Sequence, residues 1–249
     1  FVRPKTEECG LVFGGLSGCS QNTSPVATSS TRQVLSLAQQ VQAVGIFREP
    51  LSAVGGHAPE EQSRSLLAAV EAYQRSTQKR EPEDLSTLEA FLKQYPDSPW
   101  APSLRLNCGL LYHQTGQYSK ALASLQQAWK NLSDAKDLKA KAQADRALGE
   151  LAVTWAYLGR YEELEPLLKQ VRHRALSGSA TELVTAAAEG LHDMNATPEK
   201  SFLCGPAALG RICLQKLSGN KKAIELVGKL RSTKKGTSLL ASSSATASP

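Results

Sequence analysis

Apolar residues recur three and four positions apart through most of the middle of the chain, a spacing that predicts amphipathic helices. The pattern is clearest in residues 102–132, where a short polar turn at 113–117 separates two apolar stripes. The stripes comprise Leu106, Gly109, Leu110 and Tyr112 before the turn, and Tyr118, Ala121, Leu122, Leu125, Ala128 and Trp129 after it. Gly109 and Ala121 are small, which predicts that the two helices approach each other closely there.

Similar helical patterns flank this unit on both sides. The upstream faces comprise Leu66, Leu67, Val70 and Tyr73, then Leu85, Leu88, Phe91, Leu92 and Tyr95, and the two prolines of residues 95–99 end the second helix. The downstream faces comprise Leu148, Leu151, Ala152, Trp155 and Leu158, then Leu164, Leu168 and Val171, before a last helix at 182–192. The turn Gly116-Gln117-Tyr118 returns as Gly159-Arg160-Tyr161, 43 residues later. These repetitions predict three helix–turn–helix units.

The placing of small and large residues in these units resembles the tetratricopeptide repeat, which stacks into a solenoid. The resemblance implies an all-α fold over residues 59–193, in which each unit buries its apolar face against the next. It also implies a concave groove that binds a peptide or a partner protein. The candidate groove residues are Asn107, Gln114 and Arg146.

Charge is unevenly distributed along the chain. The net charge is +6, and the residues from 195 onward carry nine Lys/Arg against two Asp/Glu. A basic end of this kind fits either nucleic acid or an acidic surface, but no aromatic residue follows Phe202 to stack on bases. A solvated helix face is therefore favoured over a nucleic-acid partner. No apolar run reaches the 18 or so residues that a membrane-spanning helix needs, so no membrane span is predicted.

The five cysteines show neither metal-binding spacing nor the pattern of a disulfide framework. We therefore predict no metal site and no cofactor. His113 and His173 fall in or beside turns without a spaced partner, and we interpret both as surface residues. The middle of the chain consequently contains no predicted catalytic group.

The two ends differ from the middle in composition. Residues 1–58 are rich in Gly, Ser, Thr and Pro, with one helical patch at 34–44, and residues 233–249 form a low-complexity tail. Both termini are predicted to be disordered. The run Leu16-Ser17-Gly18-Cys19 resembles a bacterial lipobox, which implies a cell-envelope or secreted protein, but Glu7 and Glu8 stand where a signal peptide prefers cations. A chance match is favoured, so the compartment stays open.

A second motif occupies residues 194–232. Phe202-Leu203 is predicted to end a short extended segment, and Cys204-Gly205-Pro206 to open a helix, whose exposed amides stabilise a thiolate. The run from Cys204 to Leu209 resembles the nucleophile motif of bacteriocin-processing cysteine peptidases. The resemblance implies the start of an α+β papain-like domain with Cys204 as candidate nucleophile.

This second motif departs from the peptidase family at several positions. Pro198 stands where the family has a glutamine, Leu203 stands where an acidic residue is common, and no histidine follows Cys204. We therefore predict no peptidase activity for this chain alone, because a thiol nucleophile needs a base. Three functions remain open: a peptide-binding module, the first half of a thiol peptidase, and a structural spacer.

Overall fold

The computed structural model describes residues 35–78, 84–216, 221–230 and 232–233, all of which belong to one compact unit, Leu35–Pro249. The structure is 72% helical, and the described residues form no sheet, which confirms an all-α fold. The helices are α1 (Leu37–Gln42), α2 (Glu60–Gln78), α3 (Ser86–Gln94), α4 (Ala101–Gln114), α5 (Tyr118–Leu132), α6 (Leu138–Tyr157), α7 (Tyr161–Val171), α8 (Ser179–Ala196), α9 (Pro198–Ser201), α10 (Cys204–Lys216) and α11 (Lys221–Gly228). The predictions for residues 1–34 and 234–249, including the lipobox and disordered ends, fall outside the described residues.

Two short glycine turns connect α4 to α5 and α6 to α7. Gly116 and Gly159 adopt φ angles of 74° and 66°, in the left-handed region that favours glycine. Each turn is followed by a tyrosine that begins the next helix, Tyr118 in α5 and Tyr161 in α7. The repeated Gly-x-Tyr sequence is thus confirmed as a repeated helix–turn–helix connection.

Helices α4 and α5 approach each other closely at Gly109, as the sequence predicts. A Cβ atom placed on Gly109 lies 2.7 Å from Cγ of Leu125 and 2.8 Å from its Cδ2, closer than packed carbon atoms allow. Leu125 and Ala121 on α5 are fully buried. A glycine at this position therefore sets the distance between the two helices.

Most buried side chains fall into two large clusters. The first includes Leu66, Val70, Leu88, Phe91, Trp100, Leu104 and Tyr112, from α2, α3, α4 and the residues just before α4. The second includes Leu106, Leu110, Leu125, Leu148, Leu151, Trp155, Leu164 and Phe202, from α4 to α7 and the α9–α10 connection. Helix α4 contributes to both clusters, and its buried polar residues Ser103 and Asn107, which belong to neither cluster, contribute to the candidate site.

The prediction of an extended segment before Cys204 is wrong. Proline at the first position and a short run of good helix residues form the one-turn helix α9 instead. Phe202 then turns inward, with a relative exposure of 7%, and its ring lies 2.9 Å from a Cβ placed on Gly159. The sequence alone did not indicate that this ring packs against Gly159 in the α6–α7 turn.

Candidate functional site

Residues 49–54, which we call the crossing segment, form neither helix nor strand and pass over α4 and α6. The side-chain amide of Asn107 on α4 holds both backbone groups of Glu49. The Glu49 N–H donates to Oδ1 of Asn107 at 3.1 Å, and Nδ2 of Asn107 donates to the Glu49 carbonyl at 2.9 Å. Nδ2 also donates to the Ser103 carbonyl at 3.0 Å, which fixes the orientation of the amide.

Ser103, one helical turn before Asn107, holds the next part of the crossing segment in the same way. Its Oγ accepts from the Ser52 N–H at 3.2 Å and lies 2.9 Å from the Ser52 carbonyl, to which it donates. Both side chains are buried, with relative exposures of 0% for Ser103 and 1% for Asn107. The side chains of Ser103 and Asn107 therefore bind main-chain atoms of the crossing segment. These hydrogen bonds are independent of the side chains that the segment carries.

Helix α6 contacts the other side of the crossing segment, and there one contact involves a charge. Nε of Arg146 lies 3.3 Å from a carboxylate oxygen of Glu49, as an ion-pair contact rather than an aligned hydrogen bond. The same guanidinium pairs with Glu150 at 2.7 Å and donates to Oγ of Ser179 at 2.8 Å. Nε2 of Gln143 donates to the Pro50 carbonyl at 2.7 Å.

The crossing segment also inserts an apolar side chain between the helices. Leu51 is 1% exposed and belongs to the first core cluster, together with Leu104 of α4. Farther along, the Val54 N–H donates to the Pro99 carbonyl at 2.8 Å. The segment is thus held at four successive positions from Glu49 to Ser52 and again at Val54.

Two glycines, Gly55 and Gly56, follow the crossing segment. Gly55 and Gly56 have φ angles of 85° and 151°, and no atom lies within 4 Å of a Cβ placed on either residue. Side chains are therefore disfavoured here by the backbone conformation rather than by neighbouring atoms. The two glycines are themselves unpacked, whereas Ala58, between them and α2, is 3% exposed and belongs to the first core cluster.

The carboxyl of Glu49 is in a partly desolvated place. Burial raises its pKa above the ordinary value of 4.5, and the charge of Glu150 adds to the increase, whereas Arg146 and Arg48 oppose it. Because burial is the largest cause, the cation compensates only in part for the lost hydration of the carboxylate. The positive charge of Arg146 lies between the carboxylates of Glu49 and Glu150 and offsets their mutual repulsion.

Two of the three candidate groove residues meet in this site, and one does not. Asn107 and Arg146 both contact Glu49, one through its backbone and the other through its carboxylate. Gln114 is exposed at the last position of α4, seven residues and about 10 Å of helix beyond Asn107. Gln114 is therefore not among the residues that contact the crossing segment.

The sequence interpretation missed Ser103, Gln143, Glu150 and the crossing segment itself. One signal was present: Ser103 and Arg146 are 43 residues apart, as are Asn107 and Glu150, which is also the spacing of the two glycine turns. Equivalent positions in α4 and α6, the first helices of two successive units, are therefore polar although they lie among core residues. A buried polar position that recurs with the repeat indicates a shared contact surface.

The second candidate site begins where the sequence predicts. Helix α10 starts at Cys204, but the side chain of Cys204 is outside the described part of the structure. Cys213 on the same helix is 2% exposed and packs with Val227 of α11. Among the described residues, no group of His, Cys, Asp and Glu is arranged to hold a metal ion. The role of Cys204 as a nucleophile stays a prediction.

Comparisons of the chain with models of known families, with curated proteins and with solved structures give no match. The likeness to tetratricopeptide repeats and to cysteine peptidases consequently rests on the sequence motifs. Within the described ranges, no helix combines the length and apolar character that crossing a bilayer requires.

Proposed function

We propose that this chain is a peptide-binding module of tetratricopeptide type, and that the face shared by α4 and α6 is its binding site. The observation that carries the proposal is the paired hydrogen bonding of Asn107 and Ser103 to the backbone of the crossing segment. Side chains that satisfy both the N–H and the C=O of one residue recognise an irregular or extended main chain. A partner peptide would use the same groups.

The arrangement of charge and burial supports the same function. Polar side chains in a helical core are costly unless they are hydrogen-bonded, and here four of them contact the crossing segment, although Arg146 also pairs with Glu150 and donates to Ser179 of α8. Ser103 and Asn107 have this role on α4, and Gln143 and Arg146 have it on α6. The two helices thus form a surface that is complete only when a peptide lies across it.

The proposal is tested with the 249-residue chain after its own crossing segment has been loosened. Glu49→Arg places a second cation against Arg146 and is expected to release the crossing segment, because like charges at this distance repel. This variant is screened against a displayed library of random eleven-residue peptides. Enriched peptides are then synthesised, and their binding is measured by fluorescence anisotropy.

Binding should disappear when Asn107→Leu is added to Glu49→Arg, and it should persist when Gln114→Ala is added instead. The Asn107 variant is checked for an unchanged helical circular-dichroism spectrum, so that unfolding is not mistaken for loss of binding. A library that yields no peptide dependent on Asn107 contradicts the proposed function.

A further inference from the structure

The crossing segment has the chemistry of a ligand with a definable sequence. Its backbone is held by α4, its acidic side chain lies against Arg146, and its leucine is buried. Pro50 stands between these two side chains, restricts Glu49 to an extended backbone and has no N–H to leave unpaired. The order acidic residue, proline, aliphatic residue therefore matches the order of groups that the two helices present.

The fit of the crossing segment is incomplete on the α6 side. A cavity of about 350 Å³ is lined by residues of the segment together with Gln42, Lys139, Ala142 and Gln143. Two buried polar atoms at its wall lack a partner: Oε1 of Gln143, a residue that is 3% exposed, and Oγ of Ser52. An unpaired buried acceptor costs free energy, so an occupant that brings a hydrogen-bond donor into this cavity would fit better than the resident segment does.

We infer that the crossing segment is a tethered, replaceable occupant of its own binding site, and that the partner is a peptide with an acidic residue followed by proline and an aliphatic residue. At the position of Ser52 the partner carries a longer side chain with a neutral donor, such as Asn or Gln, which reaches Oε1 of Gln143. A neutral donor is favoured because Lys139 already places a cation beside the cavity. This inference rests on the proposed function and adds the class of ligand and its competition with residues 49–54.

The probe is a labelled peptide that copies residues 46–56, IFREPLSAVGG, added to the 249-residue chain. The chain with Glu49→Arg should bind it about tenfold more tightly than the wild-type chain does, because its own segment no longer competes. Adding Arg146→Glu to Glu49→Arg restores opposite charges within the chain and also places a carboxylate against the Glu of the peptide, so for both reasons this double variant should bind as weakly as the wild-type chain. Equal affinity of the wild-type and Glu49→Arg chains overturns the inference.

Hydrogen exchange on the wild-type chain gives a second measurement that does not depend on the Glu49 variant. The Glu49 and Ser52 N–H groups donate only to Asn107 and Ser103, so they should exchange faster when the unlabelled peptide is present in saturating excess. Unchanged protection at saturation means that the peptide binds elsewhere, which also overturns the inference.

Variant peptides test the ligand class. A peptide with Arg in place of Glu49 should lose binding to the Glu49→Arg chain, and a peptide with Gln in place of Ser52 should bind it about threefold more tightly or better. A matched peptide with Ala in place of Ser52 should show no gain. Loss of affinity with Gln contradicts the assignment of the cavity.

The library described above separates the two proposals. Enriched peptides that depend on Asn107 but lack an acidic residue before proline would leave the proposed function standing and refute this inference. Enrichment of acidic–Pro–aliphatic sequences supports both. An absence of any Asn107-dependent peptide refutes both.

Discussion

Helices α4 and α6 occupy equivalent places in successive repeats, yet they hold the same segment by different chemistry. Ser103 of α4 corresponds to Arg146 of α6, and Asn107 of α4 corresponds to Glu150 of α6, in both cases 43 residues apart. The neutral pair binds main-chain atoms, whereas the arginine of the charged pair binds a carboxylate and is itself fixed by Glu150.

This difference separates two tasks that a peptide-binding surface has to perform. Hydrogen bonds to the backbone hold any peptide in register, because every residue except proline offers the same N–H and C=O. A contact with a side chain selects among peptides, because it is lost when that side chain changes. In the proposed peptide-binding site, α4 would have the first task and Arg146 of α6 the second.

The two helices also differ where each faces its own partner helix, and the largest effect is expected there. Gly109 of α4 corresponds to Ala152 of α6, and a Cβ on Gly109 would overlap Leu125. Gly109→Ala should therefore destabilise the protein by about 2 kcal/mol, although alanine favours helix. Urea denaturation measures the change.

Gly190→Ala is the matched control, since it is also in a helix interior. Its nearest neighbour would be Cβ of Ala156 at 3.4 Å, so the substitution should be neutral or stabilise by up to about 1 kcal/mol. Equal effects of the two substitutions would contradict the close approach of α4 to α5.

Asn107→Leu should remove the hydrogen bonds from α4 to the main chain of Glu49. It leaves the N–H and C=O of Glu49 without their partners, which is expected to cost about 2 kcal/mol. The amides of residues 49–54 should lose protection together, as read by hydrogen exchange. Protection that is lost at Glu49 alone would mean that α4 does not hold the segment as a unit.

Arg146→Ala should cost about as much as Asn107→Leu, on the order of 2 kcal/mol, because the side chains of Arg146, Glu49 and Glu150 are only 16%, 26% and 10% exposed and an unpaired, largely buried carboxylate is destabilising. It leaves Glu49 and Glu150 without the cation that separates their charges. Sodium chloride should therefore reduce the difference in unfolding free energy between Arg146→Ala and wild type, and it should leave that of Asn107→Leu nearly unchanged. The same salt response in both variants would remove the distinction between the two helices.

Glu49→Gln should have the smallest effect. Because burial raises the pKa of Glu49 in the folded protein, its titration stabilises the folded state at low pH, and this contribution is lost as pH rises through the raised pKa. Unfolding free energies of wild type and Glu49→Gln, compared at about pH 4 and about pH 7, should show wild type losing relative stability by less than about 1 kcal/mol. A relative gain at the higher pH would show that Arg146 outweighs desolvation.

Local patterns account for most of what the sequence predicted correctly. The helix stop before residue 96, the turns at Gly116 and Gly159 and the contact of Gly109 with α5 all depend on residues that are close in the chain. Asn107 and Arg146 were identifiable as polar residues on first helices. Their common partner was not, because Glu49 is 58 residues from Asn107 and lies in a region whose composition indicated little structure.

The inward turn of Phe202 was missed for the same reason. An aromatic residue before a helix start fits an extended segment when only its neighbours are considered. Its burial depends on the space over Gly159, which appears only after α6 and α7 have packed. Long-range packing, rather than propensity, decides both features.

The glycine pair at residues 55–56 has a consequence for how strongly a partner must bind. A tethered ligand competes with an effective concentration that the length and stiffness of its connection determine, and for short flexible linkers this is on the order of millimolar. No atom lies within 4 Å of a Cβ placed on Gly55 or Gly56, so residues are inserted between them with less disturbance of packing than at the buried Ala58. Each doubling of a flexible loop costs about 0.6 kcal/mol, or roughly threefold in effective concentration. If residues 49–54 compete with a partner peptide as we propose, the length of this connection adjusts the partner concentration at which the exchange occurs, without any change in the residues that make contact.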